Sequence, residues 1–318
     1  MKAWRFYGAG QPLKLEEVPD PVAKPGEIVV DVKATGLCHS DVSALDDAAW
    51  NVGKFPDHPI VLGHEPAGVV SQVGEGVTNI KIGDRVGIPS GPPNVNGYFR
   101  DGGYAEKTTA LADAVVKIPD GLDFVRAASG TDAGNVAHHA VVSRGLVSAG
   151  QKVGIIGVGG LGQVGARIAV LRGAEVYAAE VKEDVWPMAK ELGVVRVAKD
   201  IREFADVGLD TIIDFAGFGT TTTGALEVVR NGGRVVQVGM GRLQIEFNTD
   251  PLILKQVDYV GSMGGGVEDL AGIYELMASG DLDPKITLVD FDKIDEGLDQ
   301  LRRGTVTGRL VVDMQNGI

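Results

Sequence analysis

Two short clusters and one glycine loop carry the residues best able to do chemistry. The first cluster is Gly36-Leu37-Cys38-His39-Ser40-Asp41 and the second is Gly63-His64-Glu65. Catalytic zinc is commonly held by three side chains with nitrogen, sulfur or oxygen donors, with a fourth position left open. Cys38 and His64 can supply two of the three. Each alone is a modest signal, because a lone cysteine is most often a small buried hydrophobe and a lone histidine is most often a hydrogen-bonded structural residue. The glycine loop is Gly157-x-Gly159-x-x-Gly162, with Gly160 and Leu161 inside it. Gly157 permits a tight turn out of a strand, Gly159 lets a pyrophosphate approach the backbone, and Gly162 lets a helix pack close to a sheet. The helix start then offers unpaired N–H groups and a positive dipole end to phosphate. Glu180 lies 23 residues past Gly157, where a dinucleotide fold places the acid that accepts from the adenosine ribose.

The elements needed to position these groups are legible around them. The apolar run Val153–Ile156 predicts a strand into the loop, the stretch from Gln163 to Arg172 predicts a helix out of it, and Glu175–Ala179 predicts a second strand. Further on, Leu209–Phe215 and Gly233–Val238 read as buried strands, with a helix over Thr222–Arg230 between them. Such alternation argues for a parallel sheet covered by helices on both faces. The first 130 residues differ. Short β-like runs recur at Lys2–Tyr7, Leu13–Val18, Glu27–Ala34, Ala67–Val73, Arg85–Ile88, Tyr104–Thr109 and Val115–Ile118, punctuated by Pro25-Gly26, Gly74-Glu75-Gly76 and Gly83-Asp84. That spacing predicts a small, mostly antiparallel barrel or sandwich. After residue 264, a helix over Val267–Ser279, a strand Ile286–Phe291, a helix Ile294–Arg302 and a strand Arg309–Val312 are expected.

Composition narrows the function classes. With 318 residues and 44% hydrophobic content, the chain is expected to build two domains with sizeable cores. The 30 Lys and Arg against 43 Asp and Glu leave a net charge of −13, which argues against a nucleic-acid partner. No run reaches transmembrane length, and no basic amphipathic face suits a membrane surface. The segment Met1–Tyr7 shows no apolar signal-peptide core, so a cytoplasmic protein is expected. Cys38 is the one cysteine, which precludes an intrachain disulfide and fits a reducing compartment.

In order along the chain, Cys38-His39-Ser40-Asp41, Gly63-His64-Glu65-Pro66-Ala67-Gly68, Gly83-Asp84-Arg85-Val86, Asp101-Gly102-Gly103-Tyr104-Ala105-Glu106 and the glycine loop resemble the zinc-dependent medium-chain alcohol dehydrogenases. The resemblance implies an α/β protein: a GroES-like, mostly-β catalytic domain over 1–132 and 264–318, and a Rossmann doubly wound domain over 133–263. It implies Cys38, His64 and Asp132 as catalytic zinc ligands, with a helix N-cap as the alternative for Asp132. An aspartate there is similar to the branch acting on secondary alcohols and ketones. It implies Ser40 as the hydroxyl that handles the substrate proton, and Asp41 as the acid that orients the ligand histidine. Glu65 is implied as an acid near the metal, and His39 and Arg309 as pyrophosphate contacts.

Two departures from the family pattern matter. Many relatives carry a relay histidine three residues after the serine; this chain has Ser43, and His58 is only a distant candidate. Many relatives also carry a four-cysteine zinc lobe between the Gly-Asp-Arg-Val and Asp-Gly-Gly-Tyr motifs. Here only 14 residues, Gly87 to Arg100, join those motifs, and none is cysteine. One catalytic zinc and no structural zinc are therefore expected. Val136 stands where many relatives have a threonine near the nicotinamide, and Trp50 is either a pocket wall or core.

Together these features predict an NAD-dependent alcohol dehydrogenase with a small alcohol or carbonyl substrate, assembled as a homodimer or homotetramer through an edge near Lys255–Gly261. The Glu180 carboxylate repels a 2′-phosphate and favours NAD, although Lys182 nearby leaves NADP open. The rival readings are a zinc-free reductase of the same superfamily and a non-catalytic NAD(H)-binding protein.

Overall fold

The computed structural model describes residues 1–56, 59–91 and 95–314. The chain forms two compact units, Met1–Asn135 with Gly264–Ile318, and Val136–Met263. The first break falls three residues beyond the expected one. Gly134 packs on Ile273, and Asn135 Nδ2 donates to Gly265 O at 2.8 Å, which ties that turn to the first unit.

The first unit is built on the strand Glu27–Leu37, whose Ile28, Val29, Val30, Val32 and Ala34 are buried. It pairs antiparallel with Pro66–Val73, with Lys107–Leu111 and with Arg309–Asp313. Two register shifts interrupt the pairing with Pro66–Val73. Such bulges bend a strand and tighten its twist. Gly68 sits at this bend because a Cβ there would meet Asp31 O at 2.1 Å. Arg85–Gly87 and Val116–Lys117 extend one edge of the sheet, and Ile286–Val289 closes the other as the parallel neighbour of Arg309–Asp313. A smaller sheet pairs Lys2–Phe6 with Lys14–Glu17 and Ile60–Val61. The expected strand at Tyr104–Thr109 begins later, at Lys107. Tyr104 lies outside it, with its N–H on Leu62 O.

The second unit is a six-stranded parallel sheet. In spatial order its strands are Arg196–Ala198, Glu175–Ala179, Lys152–Ile156, Leu209–Asp214, Val229–Gln237 and Asp258–Gly261. Numbered along this unit, the order is 3-2-1-4-5-6, the doubly wound arrangement, with its switch point between Lys152–Ile156 and Leu209–Asp214. The central strands Lys152–Ile156, Glu175–Ala179 and Leu209–Asp214 are mostly apolar and buried, as burial on both faces requires. The helix after the glycine loop spans Gly160–Leu171, starting earlier than the expected Gln163 because the loop bends straight into the first turn. Among the described residues, no helix is long and apolar enough to cross a membrane.

Candidate metal centre and dinucleotide loop

Three segments of the first unit converge on one point. Cys38 follows the long central strand and immediately precedes the helix His39–Asp46. His64 and Glu65 lie between the strands Ile60–Val61 and Pro66–Val73. Asp132 sits in a π-helical turn, Gly130–Gly134, wholly buried, rather than at a helix N-cap. Such wide turns are frequent at functional sites, because the extra residue re-aims a side chain. The helix Val267–Ala278 backs this turn, with Ile273 against Gly130 and Gly134 and the Tyr274 hydroxyl on Ala127 O.

Cys38, His64, Glu65 and Asp132 each offer one ligand atom, and these atoms all lie within 4.8 Å of one another. Cys38 Sγ is 3.6 Å from Asp132 Oδ2, and His64 Nε2 is 3.7 Å from the same oxygen. Tetrahedral zinc bonds imply ligand–ligand separations of about 3.3–3.6 Å, so both separations to Asp132 Oδ2 already stand almost at the spacing one ion demands. Glu65 Oε1 lies slightly farther, 3.9 Å from His64 Nε2, and Glu65 Oε2 has no partner among the described residues. The donor set therefore fits zinc.

Electrostatics point the same way. Burial pulls the His64 imidazolium down, but Tyr98 and the Asp41 and Asp132 carboxylates outweigh it and hold its proton well above the usual range. Burial pushes Glu65 up to about 7, with Arg309 opposing. Arg309, expected at the pyrophosphate, is buried and donates through Nη2 to Glu65; its Nε has no partner among the described residues.

The surrounding residues sort clearly. Ser40 Oγ is 3.4 Å from His64 Nε2, beside the ligand atoms. Asp41 Oδ1 faces His64 Nδ1 at 3.4 Å. His39, the first residue of its helix, is exposed. The Ser43 hydroxyl donates to His39 O at 3.1 Å and so is spent on the helix backbone. His58 lies outside the described residues. Trp50 is core: it is 9% exposed, with Tyr98 and Phe55 rings 5.9 and 6.5 Å away. Tyr98, not anticipated from the sequence, packs its ring 5.3 Å from that of His64.

In the second unit the loop glycines have separate duties. Gly157 adopts φ +82°, Gly159 leaves open space where a Cβ would be, and a Cβ on Gly162 would lie 1.8 Å from Gly157 O. Gly160 and Leu161 form the first turn of the helix. Glu180 is buried at the end of its strand; Oε2 accepts from Val158 N at 2.8 Å and Oε1 from Lys182 N at 2.9 Å. Each carboxylate oxygen keeps a further lone pair for a ribose hydroxyl. Asp214 was missed by sequence reasoning. Its Oδ1 accepts from Ala216 N and Gly217 N, and its Oδ2 from the Thr221 and Thr222 hydroxyls, which sets the turn beside the switch point. The signal available was an acid at the end of a buried apolar strand.

Known proteins resemble this chain in sequence and fold. Residues 24–120 match the alcohol dehydrogenase GroES-like domain and residues 160–279 the zinc-binding dehydrogenase domain. An alcohol dehydrogenase of Geobacillus stearothermophilus is 33% identical, covering 98% of this chain and 99% of its own. The acetophenone reductase of Geotrichum candidum in complex with NAD superimposes with a TM-score of 0.89 at 28% identity, covering 100% of this chain and 98% of its own. The cobalt- and zinc-bound thermostable alcohol dehydrogenase of Pyrobaculum aerophilum does so with a TM-score of 0.86 at 25% identity, covering 98% and 99%. With two relatives above 30% identity matched almost end to end, and with both domain types in their expected order, the chain belongs to the zinc-type medium-chain alcohol dehydrogenase family.

Proposed function

We propose that this protein is an NAD-dependent alcohol dehydrogenase with one zinc per chain, held by Cys38, His64 and Asp132, acting on secondary alcohols and their ketones. The observation that carries the reading is the cluster itself: thiol, imidazole and carboxylate donors at zinc spacing in a buried, anion-rich pocket. Bound zinc supplies Lewis-acid polarisation of the substrate oxygen, and NAD supplies the hydride acceptor. Ser40 takes up the alcohol proton beside the ligand atoms, and Asp41 fixes the His64 tautomer. Thiolate and carboxylate together balance the ion's charge. Glu180 favours NAD, since a third oxyanion group on the ribose would face its carboxylate. The aspartate ligand, and the ketone named for the Geotrichum relative, support the secondary-alcohol preference. One cysteine cannot build a four-thiolate site, which supports a single ion.

The test is elemental analysis of protein purified without chelator, combined with turnover on alcohol and ketone panels. The expected result is zinc near one per chain and faster turnover with NAD than with NADP. Turnover with zinc near zero, after zinc is added back, transfers the reading to a zinc-free reductase.

We also place the protein in the cytoplasm as a dimer or tetramer. Among the described residues the strand Asp258–Gly261 is one of the two edges of its sheet, and Leu254 just before it is 79% exposed. Exposed edges present unpaired N–H and C=O groups that a second copy can pair. Light scattering is expected to give a mass of at least two chains; a monomer at micromolar concentration would refute the edge assignment.

A further inference from the structure

The phenol of Tyr104 serves none of the roles above, yet it is placed with care. Its side chain is 0% exposed, and its hydroxyl donates to Asp41 Oδ2 at 2.8 Å. The same oxygen accepts the Cys38 N–H at 3.1 Å. The other oxygen, Oδ1, stands 3.4 Å from His64 Nδ1. An ionised carboxylate only accepts hydrogen bonds. Two donors on Oδ2 hold the Asp41 carboxylate so that Oδ1 turns toward the imidazole. With an ion on Nε2, beside Asp132 and Ser40, Nδ1 would be the nitrogen that keeps the proton, and it faces Asp41 Oδ1. Burial, with the Asp41 charge, pushes the Tyr104 phenol well above its ordinary value, which keeps it a donor.

The packing locks this relation to the ligand segment. Gly63, directly before His64, has φ +91°, and a Cβ there would lie 2.3 Å from Tyr104 Cδ1. Gly103 N donates to Gly63 O at 2.6 Å and Tyr104 N to Leu62 O at 3.0 Å. The glycines of Gly63-His64 and Gly102-Gly103-Tyr104 thus make room for one ring and one close backbone crossing.

We infer that Tyr104 is a positioning residue of the metal centre, acting through Asp41 to set the orientation and basicity of His64 and thereby the affinity for zinc. This rests on the assignment of Cys38, His64 and Asp132 as zinc ligands. Outer partners of this kind change metal affinity by roughly 10–100-fold when removed.

The experiment is Tyr104→Phe, which deletes the hydroxyl and keeps the ring that fills the space at Gly63. Zinc dissociation constants are read by competition with a chromogenic chelator, alongside melting of the zinc-free protein. The expected result is about tenfold weaker zinc binding. In an Asp41→Asn background the same change is expected to move the constant by less than about twofold, because the two act in series. A lowered melting temperature of the zinc-free protein with an unchanged zinc constant, or full effects in both backgrounds, would overturn the inference. A wild-type protein that binds no zinc defeats the ligand assignment itself; tight wild-type binding with an unaffected Tyr104→Phe variant defeats only the role of Tyr104.

Discussion

Cys38→Ser is expected to bring bound zinc from near one per chain to near zero and to cut kcat/KM by well over a hundredfold, while NADH binding persists. The magnitude follows from comparison: outer partners of a metal ligand are worth roughly 10–100-fold, and loss of a direct ligand must exceed that. Serine conserves the shape of the side chain. Its hydroxyl is not deprotonated in this setting, so it offers the ion neither the charge nor the soft donor of a thiolate. NADH binding provides the control, because the glycine loop and Glu180 belong to the other unit of the chain. It is read by fluorescence titration beside the metal analysis. Retained zinc with full turnover in this variant would remove Cys38 from the centre.

Arg309→Met is expected to destabilise the zinc-free protein by about 3–5 kcal/mol at pH 8, the usual cost of removing one partner from a buried ion pair. Both partners are sealed from water, with side-chain exposures of 4% for Arg309 and 0% for Glu65. Methionine fills much of the volume but leaves the buried Glu65 carboxylate without its hydrogen-bonded countercharge. The pH dependence follows from the direction of the Glu65 shift. Burial raises its carboxyl from 4.5 to about 7 even with Arg309 opposing, and without Arg309 it rises further. An acid whose folded-state value lies above its unfolded value stabilises the fold fully below the unfolded value. It loses that contribution as pH rises through the folded value. The deficit of the variant is therefore largest above pH 7 and shrinks as pH falls toward 5, where Glu65 is neutral in the variant. Urea melts at pH 5 and pH 8 measure it. A deficit below about 1 kcal/mol, the worth of an exposed pair, or one independent of pH, would contradict this account.

The legibility of this chain follows the distance over which each feature is encoded. Gly157 and Gly162 are readable because each answers a local steric demand, a positive φ at the first and a close approach to Gly157 O at the second. The central strands of the second unit are readable because burial on both faces writes apolar runs, whereas the edge strands Arg196–Ala198 and Asp258–Gly261 carry no such run. Observed bounds in this unit move by only a few residues, as at Leu209–Asp214 and Thr220–Val228. Trp50 was ambiguous for the opposite reason: an aromatic in a loop reports nothing about what surrounds it until Phe55 and Tyr98 are placed against it.

The metal centre shows the same division. Cys38 and His64 stand out by residue type within short motifs, so both could be nominated from the chain. Asp132 came from resemblance to a family, since no local spacing links it to Cys38 across 94 residues. The partners that govern the site are more distant still in kind. Tyr104 meets Asp41 across 63 residues, and Arg309 meets Glu65 across 244. Local sequence encodes backbone preference, periodicity and the capacity of a side chain for chemistry, and this chain declares its two domains, its glycine loop and two candidate metal donors in that way. Which buried donor finds which acceptor depends on how separate strands and turns close on one another, and that information exists only once the core is packed.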